Sequence, residues 1–390
     1  KNILAVMDNS TLGKIFAEKF GYNGEQYFAP GRINLIGEHT DYNNGFVMPG
    51  AVDKGITAEI SANGLTVVRV YALDMPENKQ YVEFELDQET KPEYHWACYV
   101  FGVCKEMMKR GIEVKGFDAA FTGNIPAGSG MSSSAALENV FSIALNDIFA
   151  NNSIDKFELA KIGQATEHNY CGVKCGIMDQ FASLFGKKNC LIRLDCRTLE
   201  YKYFPFQPEG YRLTLINSCV KHSLGTEYNE RRESCEHVVA LIANLHPEVK
   251  SLRDADMSML QEVKDQIDHT DFCRAKYVLG EKERVLAVCE ALETGNYETV
   301  GEKMFETHWG LSKEYTVSCE ELDFLASMAQ ESGITGSRVM GGGFGGCTIN
   351  LIPDTLHDSF IEKTKVAFNE KFGHYPEVYE IVIGDGARKL

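Results

Sequence analysis

Two loops and two isolated acids in this 390-residue chain have the residue types and spacing to do chemistry. The run Ala29–Pro49, APGRINLIGEHTDYNNGFVMP, gathers Arg32, Glu38, His39 and Asp41 around Gly31 and Gly37, with a turn at Asn43-Asn44-Gly45. Each hydroxyl of a polyol both donates and accepts, and burying one unpaired costs free energy. Clustered carboxylates and an imidazole on a stiff loop therefore suit a sugar. A turn with its charges in water is the bland alternative. It fits poorly between apolar Ile33, Leu35, Ile36 and Phe46, Val47, Met48.

The second loop, Gly123–Leu137, reads GNIPAGSGMSSSAAL. The chain has no Gly-x4-Gly-Lys-Ser/Thr, so this is not a Walker loop. Gly128, Ser129, Gly130, Ser132, Ser133 and Ser134 lead into a helix expected to begin near Ala135. Small side chains let the backbone close on phosphate oxygens, and a helix N-terminus adds free N–H groups and a positive dipole end. A serine N-cap after a glycine turn is the plainer reading.

Two carboxylates follow. Glu167 projects about 140° from an apolar stripe centred on Ile162, so it points away from the core. It is either solvated or one of the one or two protein oxygens that Mg²⁺ usually takes. Asp179, in Cys175–Phe181 (CGIMDQF), falls in the first turn of a short helix ending at Gly186. There it complements the helix dipole, or packed Ile177, Met178 and Phe181 hold it against a substrate. A hydroxyl attacking phosphorus must lose its proton, and a positioned aspartate can take it.

The elements that must position these groups read as follows. Leu12, Ile15, Phe16, Lys19 and Phe20 have helical spacing, with Gly21 as a stop. Leu137, Val140, Phe141, Ala144, Leu145, Ile148 and Phe149 form one helical stripe. Another helix starts near Asp155, with Glu158 completing a capping box and Leu159, Ile162 and Ala165 inward. Strands are expected at Leu65–Tyr71, Tyr81–Leu86, Phe117–Phe121, Cys190–Leu194, Tyr211–Ile216, Thr348–Ile352 and near Val378–Ile383. Ser318 and Glu321 suggest a second capping box, before Leu322, Leu325 and Ala329, with Gly333 ending that helix and another following near 356–372. Pro205 and Pro208 mark a boundary between domains 1–205 and 206–390. Without a regular βαβ alternation, the class is α+β.

Composition narrows the partners. A formal net charge of -17 argues against nucleic acid or an anionic membrane, which need a basic face. With 24% charged residues, 10 Pro and 35 Gly, the chain is ordinary for a globular protein. The apolar start Ile3–Met7 stops at Asp8, too short for a secretory signal, and no apolar run approaches the roughly 20 residues of a membrane span. A cytoplasmic protein is expected. Twelve scattered cysteines read as reduced thiols. Cys171 and Cys175 lack the second ligand pair that zinc would require.

These motifs carry a family resemblance. Pro30-Gly31-Arg32 through Gly37-Glu38-His39-Thr40-Asp41-Tyr42-Asn43 resembles the galactokinase signature of the GHMP small-molecule kinases. Pro126–Ala135 resembles the family's phosphate loop, with Met131 where leucine is more usual. Cys175–Phe181 is similar to the segment bearing its catalytic aspartate. Val339–Cys347, VMGGGFGGC, resembles the third motif, with Met340 and Gly342 where threonine and alanine are common; its five glycines around Phe344 suit close approach to the other two motifs. The resemblance covers nearly the whole chain and is weakest around 240–300.

It implies a two-domain GHMP kinase fold, with a ribosomal-protein-S5-domain-2-like N-terminal domain and a ferredoxin-like α/β-plait C-terminal domain. The implied substrates are ATP and galactose, with Mg²⁺, in a monomer. By this resemblance Asp179 is the catalytic base and Arg32 lies beside the reacting oxygen and the transferred phosphoryl. Glu38, His39, Thr40, Asp41 and Tyr228 contact galactose, although Tyr228 alone would read as surface packing. Gly128, Ser129, Gly130, Met131, Ser132, Ser133 and Ser134 wrap the ATP phosphates, and Ser134 with Glu167 holds Mg²⁺. Trp96 lies near the adenine or in the core. The implied reaction phosphorylates the C1 hydroxyl of α-D-galactose, the first step of galactose utilisation. Another acceptor, such as N-acetylgalactosamine, should alter the uninterrupted EHTDYNNG turn. A non-catalytic galactose and ATP sensor should lose part of the phosphate loop or a catalytic residue, and this chain keeps Ser132–Ala136, Arg32 and Asp179.

Overall fold

The Asp8 carboxylate accepts a hydrogen bond from the Thr11 N–H and opens helix α1 (Asn9–Phe20), which buries Leu12 and Phe16 and stops at Gly21. A computed structural model describes residues 7–222 and 225–390 of the chain, so Ile3–Val6 of the apolar start lies outside the described residues.

The next element, strand β1 (Glu25–Asn34), was not expected, because Pro30-Gly31 reads as a turn. A bulge between Pro30 and Arg32 absorbs the proline, and pairing with β3 (Pro49–Ala62) resumes at Arg32 opposite Ala51. Arg32 therefore stands on a paired strand, and only the residues after Asn34 form a loop. That loop ends in the short strand β2 (Phe46–Val47). The first half continues through β4 (Val67–Ala72), β5 (Tyr81–Glu85), helix α2 (His95–Lys109), β6 (Phe117–Gly123), α3 (Ser133–Ala150), α4 (Lys156–Thr166), α5 (Met178–Phe185), β7 (Cys190–Asp195) and β8 (Tyr201–Pro205). The chain then enters β9 (Tyr211–Asn217), followed by α6 (Gly225–Leu245), α7 (Met257–Glu262), α8 (His269–Glu293), α9 (Tyr297–Lys313) and α10 (Glu320–Glu331). It closes with β10 (Gly336–Val339), β11 (Cys347–Pro353), α11 (Asp354–Phe372), β12 (Glu377–Glu380) and β13 (Arg388–Lys389).

Three sheets result, in strand orders β13-β1-β3-β6-β4-β5, β10-β11-β9-β12 and β2-β7-β8. Among the described residues only the β4–β6 pair is parallel, in keeping with an α+β class. The strand expected at Val378–Ile383 ends at Glu380, because the chain then changes partners. Asp53 N–H donates to Val382 O, and Ile383 bridges Val52 on β3. Both expected capping boxes are half right or misplaced. Asp155 caps α4 through the Glu158 N–H, but the Glu158 carboxylate goes to Arg110 at 2.7 Å rather than back to the cap. Cys319, not Ser318, stands at the start of α10, and the Ser318 hydroxyl donates to Asp323.

One core packs α2, α3, α4 and α5 on the six-stranded sheet through residues such as Phe101, Phe117, Phe141 and Phe181. A second core joins the halves. Ile33, Leu35, Ile36, Met48 and Met131 pack there against Val285, Val288, Met340 and Leu351. The two chemistry-bearing loops are thus seated on a shared interface, which decides where the site lies. Among the described residues no helix is long and apolar enough to cross a membrane, and all twelve cysteines are free.

Candidate active site

The acid-rich loop, the serine loop, the Asp179 helix and the third glycine motif open onto one cleft of about 490 Å³. Arg32, at the end of β1, donates through Nε to Asp179 Oδ1 at 2.7 Å and through a terminal nitrogen to Gly130 O at 2.5 Å. Its backbone N–H donates to Met131 O at 2.9 Å, which ties strand to phosphate loop. The Ser132 hydroxyl donates to the other oxygen of Asp179. Ser132 takes a left-handed conformation, φ 61° and ψ 61°, just before α3 begins at Ser133. One carboxylate thus meets a fixed cation and the phosphate loop together.

Glu38, His39 and Asp41 line the opposite wall. Asp41 is partly open to the cleft, yet protein closes round it. That burial, with the like charge of Asp179, pushes its carboxyl up to about 7. Gly176 makes room for it, since a Cβ there would sit 2.1 Å from Asp41 Cγ. Burial holds His39 down at about 4, so the ring is neutral. A carbonyl can only accept, so Nε2 donates to Gly342 O at 3.1 Å and Nδ1 accepts from the Tyr42 hydroxyl at 2.7 Å. Both ring nitrogens are committed to protein, contrary to a free imidazole for the ligand. Tyr228 packs its ring 5.2 Å from His39 and lines the cleft rather than the outer surface.

Glu167 is buried, which corrects the expectation that it points away from the core. The 140° projection holds, because the backbone stays α-helical through Glu167, but α3 and its Glu138 lie on that side, so the face away from Ile162 is buried too; a π-helical turn follows at Glu167–Cys171. Ala165 is only half-buried, and Thr166 takes the inward place. Ser134 and Glu138 are the polar neighbours of Glu167. Burial pushes both carboxyls up, and the charge of Glu167 adds to the rise of Glu138. Glu138 Oε1 has no hydrogen-bond partner, and neither acid has an ion-pair partner among the described residues. A hydroxyl and a carboxylate on the cleft wall, backed by uncompensated acidity, fit a hard cation that takes few protein oxygens.

Other expected residues fall elsewhere. Thr40 is buried and closes its own loop, donating to Gly37 O at 3.0 Å and Phe46 O at 2.8 Å. Gly128, Gly130, Ser132, Ser133 and Ser134 line the cleft, whereas the side chains of Ser129 and Met131 are buried beneath it. Trp96 lies in the core and donates its indole N–H to Lys79 O, while His95 and Tyr99 of the same helix reach the cleft. Phe344 of the third motif stacks on His222 at 4.8 Å, and a Cβ on Gly346 would come within 2.9 Å of Gly128 O. Sequence reading missed Glu138, whose only signal was an acid beside the apolar stripe of α3. It also missed Tyr42, Glu281 and Arg338.

Comparison with known proteins matches these features. The family descriptions "GHMP kinases N terminal domain", "Galactokinase galactose-binding signature" and "GHMP kinases C terminal" match residues 98–187, 14–62 and 289–363. A galactokinase of Clostridium acetobutylicum is 41% identical over 93% of this chain and 94% of its own length. One from Bacillus subtilis is 38% identical over 96% of each. The structure of Lactococcus lactis galactokinase complexed with galactose superposes with a TM-score of 0.93 at 35% identity, covering 98% of this chain and 99% of that one. A mevalonate kinase of Methanococcus jannaschii, 17% identical with a TM-score of 0.61 over 93% of this chain and 99% of its own, shares the fold. With identity of this order spread over nearly its full length, the chain belongs to the galactokinase family of GHMP kinases.

Proposed function

We propose that this chain is a galactokinase that transfers the γ-phosphoryl of ATP to the C1 hydroxyl of α-D-galactose, giving galactose 1-phosphate and ADP. The observation that carries the reading is the contact between Asp179, Arg32 and the Ser132 loop, in the same cleft as Glu38 and Asp41. In this reading the sugar lies against Glu38, Asp41 and Tyr228, with its C1 hydroxyl toward Asp179. His39 and Thr40, whose polar side-chain atoms are bonded to protein, act by shaping that wall. The ATP phosphates lie over Gly128–Ser134, at the N-terminus of α3, where unpaired N–H groups and the dipole favour anions.

Asp179 takes the proton of the attacking hydroxyl as the oxygen closes on phosphorus, and proton transfer of this kind is worth about 10²–10⁴ in rate. Arg32, fixed by Asp179 and Gly130, offers its guanidinium to the charge of the transferring group. Ser134 and Glu167 would hold Mg²⁺. When bound, the ion supplies positive charge to the phosphate oxygens.

A panel of sugars with ATP tests the reading by following ADP release. Turnover is expected with galactose. Turnover only with another sugar, or binding without ADP release, would refute it.

The Asp41 carboxyl adds a pH dependence. A sugar hydroxyl donating to it favours the ionised form, so galactose should bind more tightly as pH rises through about 7. Below that pH the galactose KM is expected to rise by up to about tenfold for each unit that pH falls, and Asp41→Asn to flatten the slope while weakening binding. Without sugar the sign for stability is opposite. The folded carboxyl holds its proton to about 7 and the unfolded one to about 3.8, so folding loses support between them as pH rises. Galactose should therefore raise Tm more at pH 8 than at pH 6. An equal rise at both would sink the assignment.

A further inference from the structure

The Glu38 carboxylate is aimed from the far half of the chain. Its Oε2 accepts from Arg338, from the Gly341 N–H at 3.0 Å and from Asn34 at 3.4 Å. All three donors found for it reach the same oxygen, which leaves Oε1 to the cleft that Glu38 lines. Arg338, on β10, is fully buried, and its other terminal nitrogen donates to Asn34 O at 2.6 Å. Its Nε has no partner among the described residues. As a device for stability this is poor, because a buried ion pair with an unmet N–H often does no better than an apolar residue of similar volume.

The loop backbone is already held without it. Glu281 of α8 accepts from the Gly37 N–H at 2.8 Å and the Glu38 N–H at 3.4 Å, and is itself held by Arg284 at 2.6 Å and Thr307 at 2.8 Å. The Tyr277 hydroxyl donates to Glu38 O at 2.8 Å. What remains for Arg338 is the direction of the Glu38 side chain.

We propose that Arg338 is a positioning residue for sugar recognition: by pinning one oxygen of Glu38 it presents the other to a sugar hydroxyl, so the far half of the chain sets acceptor specificity. The proposal rests on the reading of this cleft as a sugar site. The sugar panel decides the substrate first, on the wild-type protein. Failure there undoes the substrate, and failure below leaves it standing.

The test compares Arg338→Lys, Glu38→Gln and the pair Arg338→Met with Glu38→Gln, which removes both buried charges and leaves no unpaired charge, at the loss of the bond to Asn34 O. Arg338→Met alone strips a buried carboxylate of its counter-charge and is at risk of not folding, so it is not relied on. Binding of galactose and of its singly deoxygenated analogues is measured by calorimetry, beside KM, kcat and Tm.

Arg338→Lys is expected to weaken galactose about 3- to 10-fold, toward the low end of the usual cost of losing a group that orients a binding side chain. KM for ATP and kcat should stay within about twofold, since Arg338 touches neither the phosphate loop nor Asp179. The deoxygalactose that Glu38→Gln no longer distinguishes from galactose should be the same one for Arg338→Lys. The pair should bind galactose no more weakly than Glu38→Gln alone. A lowered Tm with unchanged galactose affinity in Arg338→Lys would overturn the proposal. So would different deoxy-sugar patterns for the two single variants, or full additivity in the pair.

Discussion

Asp179→Ala is expected to fold, to bind galactose and to turn over about 10²–10⁴-fold more slowly. The size of the loss follows from what the carboxylate touches. Asp179 accepts from Arg32 at 2.7 Å and from Ser132, and it stands in the cleft while still partly exposed. Removing it takes away the group placed to receive the hydroxyl proton. It also frees Arg32 and Ser132 from one of their anchors, so alanine mixes lost chemistry with lost geometry. Arg32 still donates to Gly130 O, and the helix carrying position 179 is packed by Met178, Phe181 and Phe185, so the fold should survive. Asp179→Asn separates the two effects. An amide oxygen still accepts from Arg32 but cannot take a proton, so asparagine should bind galactose within about threefold of wild type and be nearly as slow as alanine. Steady-state kinetics with calorimetry decides it, and near-normal kcat in either variant removes Asp179 as the base.

Glu167→Gln is expected to raise the Mg²⁺ concentration for half-maximal rate by about 10- to 100-fold, the range seen when a metal site loses a charged oxygen or its support. Glutamine keeps the shape of the side chain and an oxygen beside Ser134, so the packing of the π-helical turn on α3 should hold. Galactose affinity without nucleotide should not change, because the sugar wall of Glu38, Asp41 and Tyr228 makes no contact with Glu167. Direct titration of Mn²⁺ by electron paramagnetic resonance, with ADP present, gives a readout that needs no turnover. Unchanged Mn²⁺ affinity in the variant would place the cation elsewhere. The effect should exceed that of the Asp41 and Arg338 changes, which act on the sugar alone.

Much of the site was legible because its parts are short and local. A glycine-serine run before a helix needs only neighbouring residues to make an anion cradle. Asp179 was placed correctly in the first turn of a helix ending at Gly186. Glu167 was misread for an equally definite reason: a step of 100° per residue gives its direction on α4 but not that α3, with Glu138, packs on that side. The strand carrying Arg32 was hidden because a bulge lets it hold a Pro-Gly that normally breaks pairing. Thr40 and His39 look like free ligands in one dimension, and only the fold reveals that Thr40 is bonded within its own loop and His39 to Tyr42 and to Gly342 of the third motif.

Residue types and local spacing set the kinds of chemistry on offer, the order of the three motifs and most of the elements that bear them, since each depends on residues close in the chain. Tertiary structure alone decided which groups meet and which are buried. Gly37 is bonded to Glu281 across 244 residues and Glu38 to Arg338 across 300. Burial and the approach of distant charges raise the carboxyls of Asp41, Glu138 and Glu167 above their ordinary range. Desolvation and Coulomb energies depend on distance in space, and separation along the chain does not specify it.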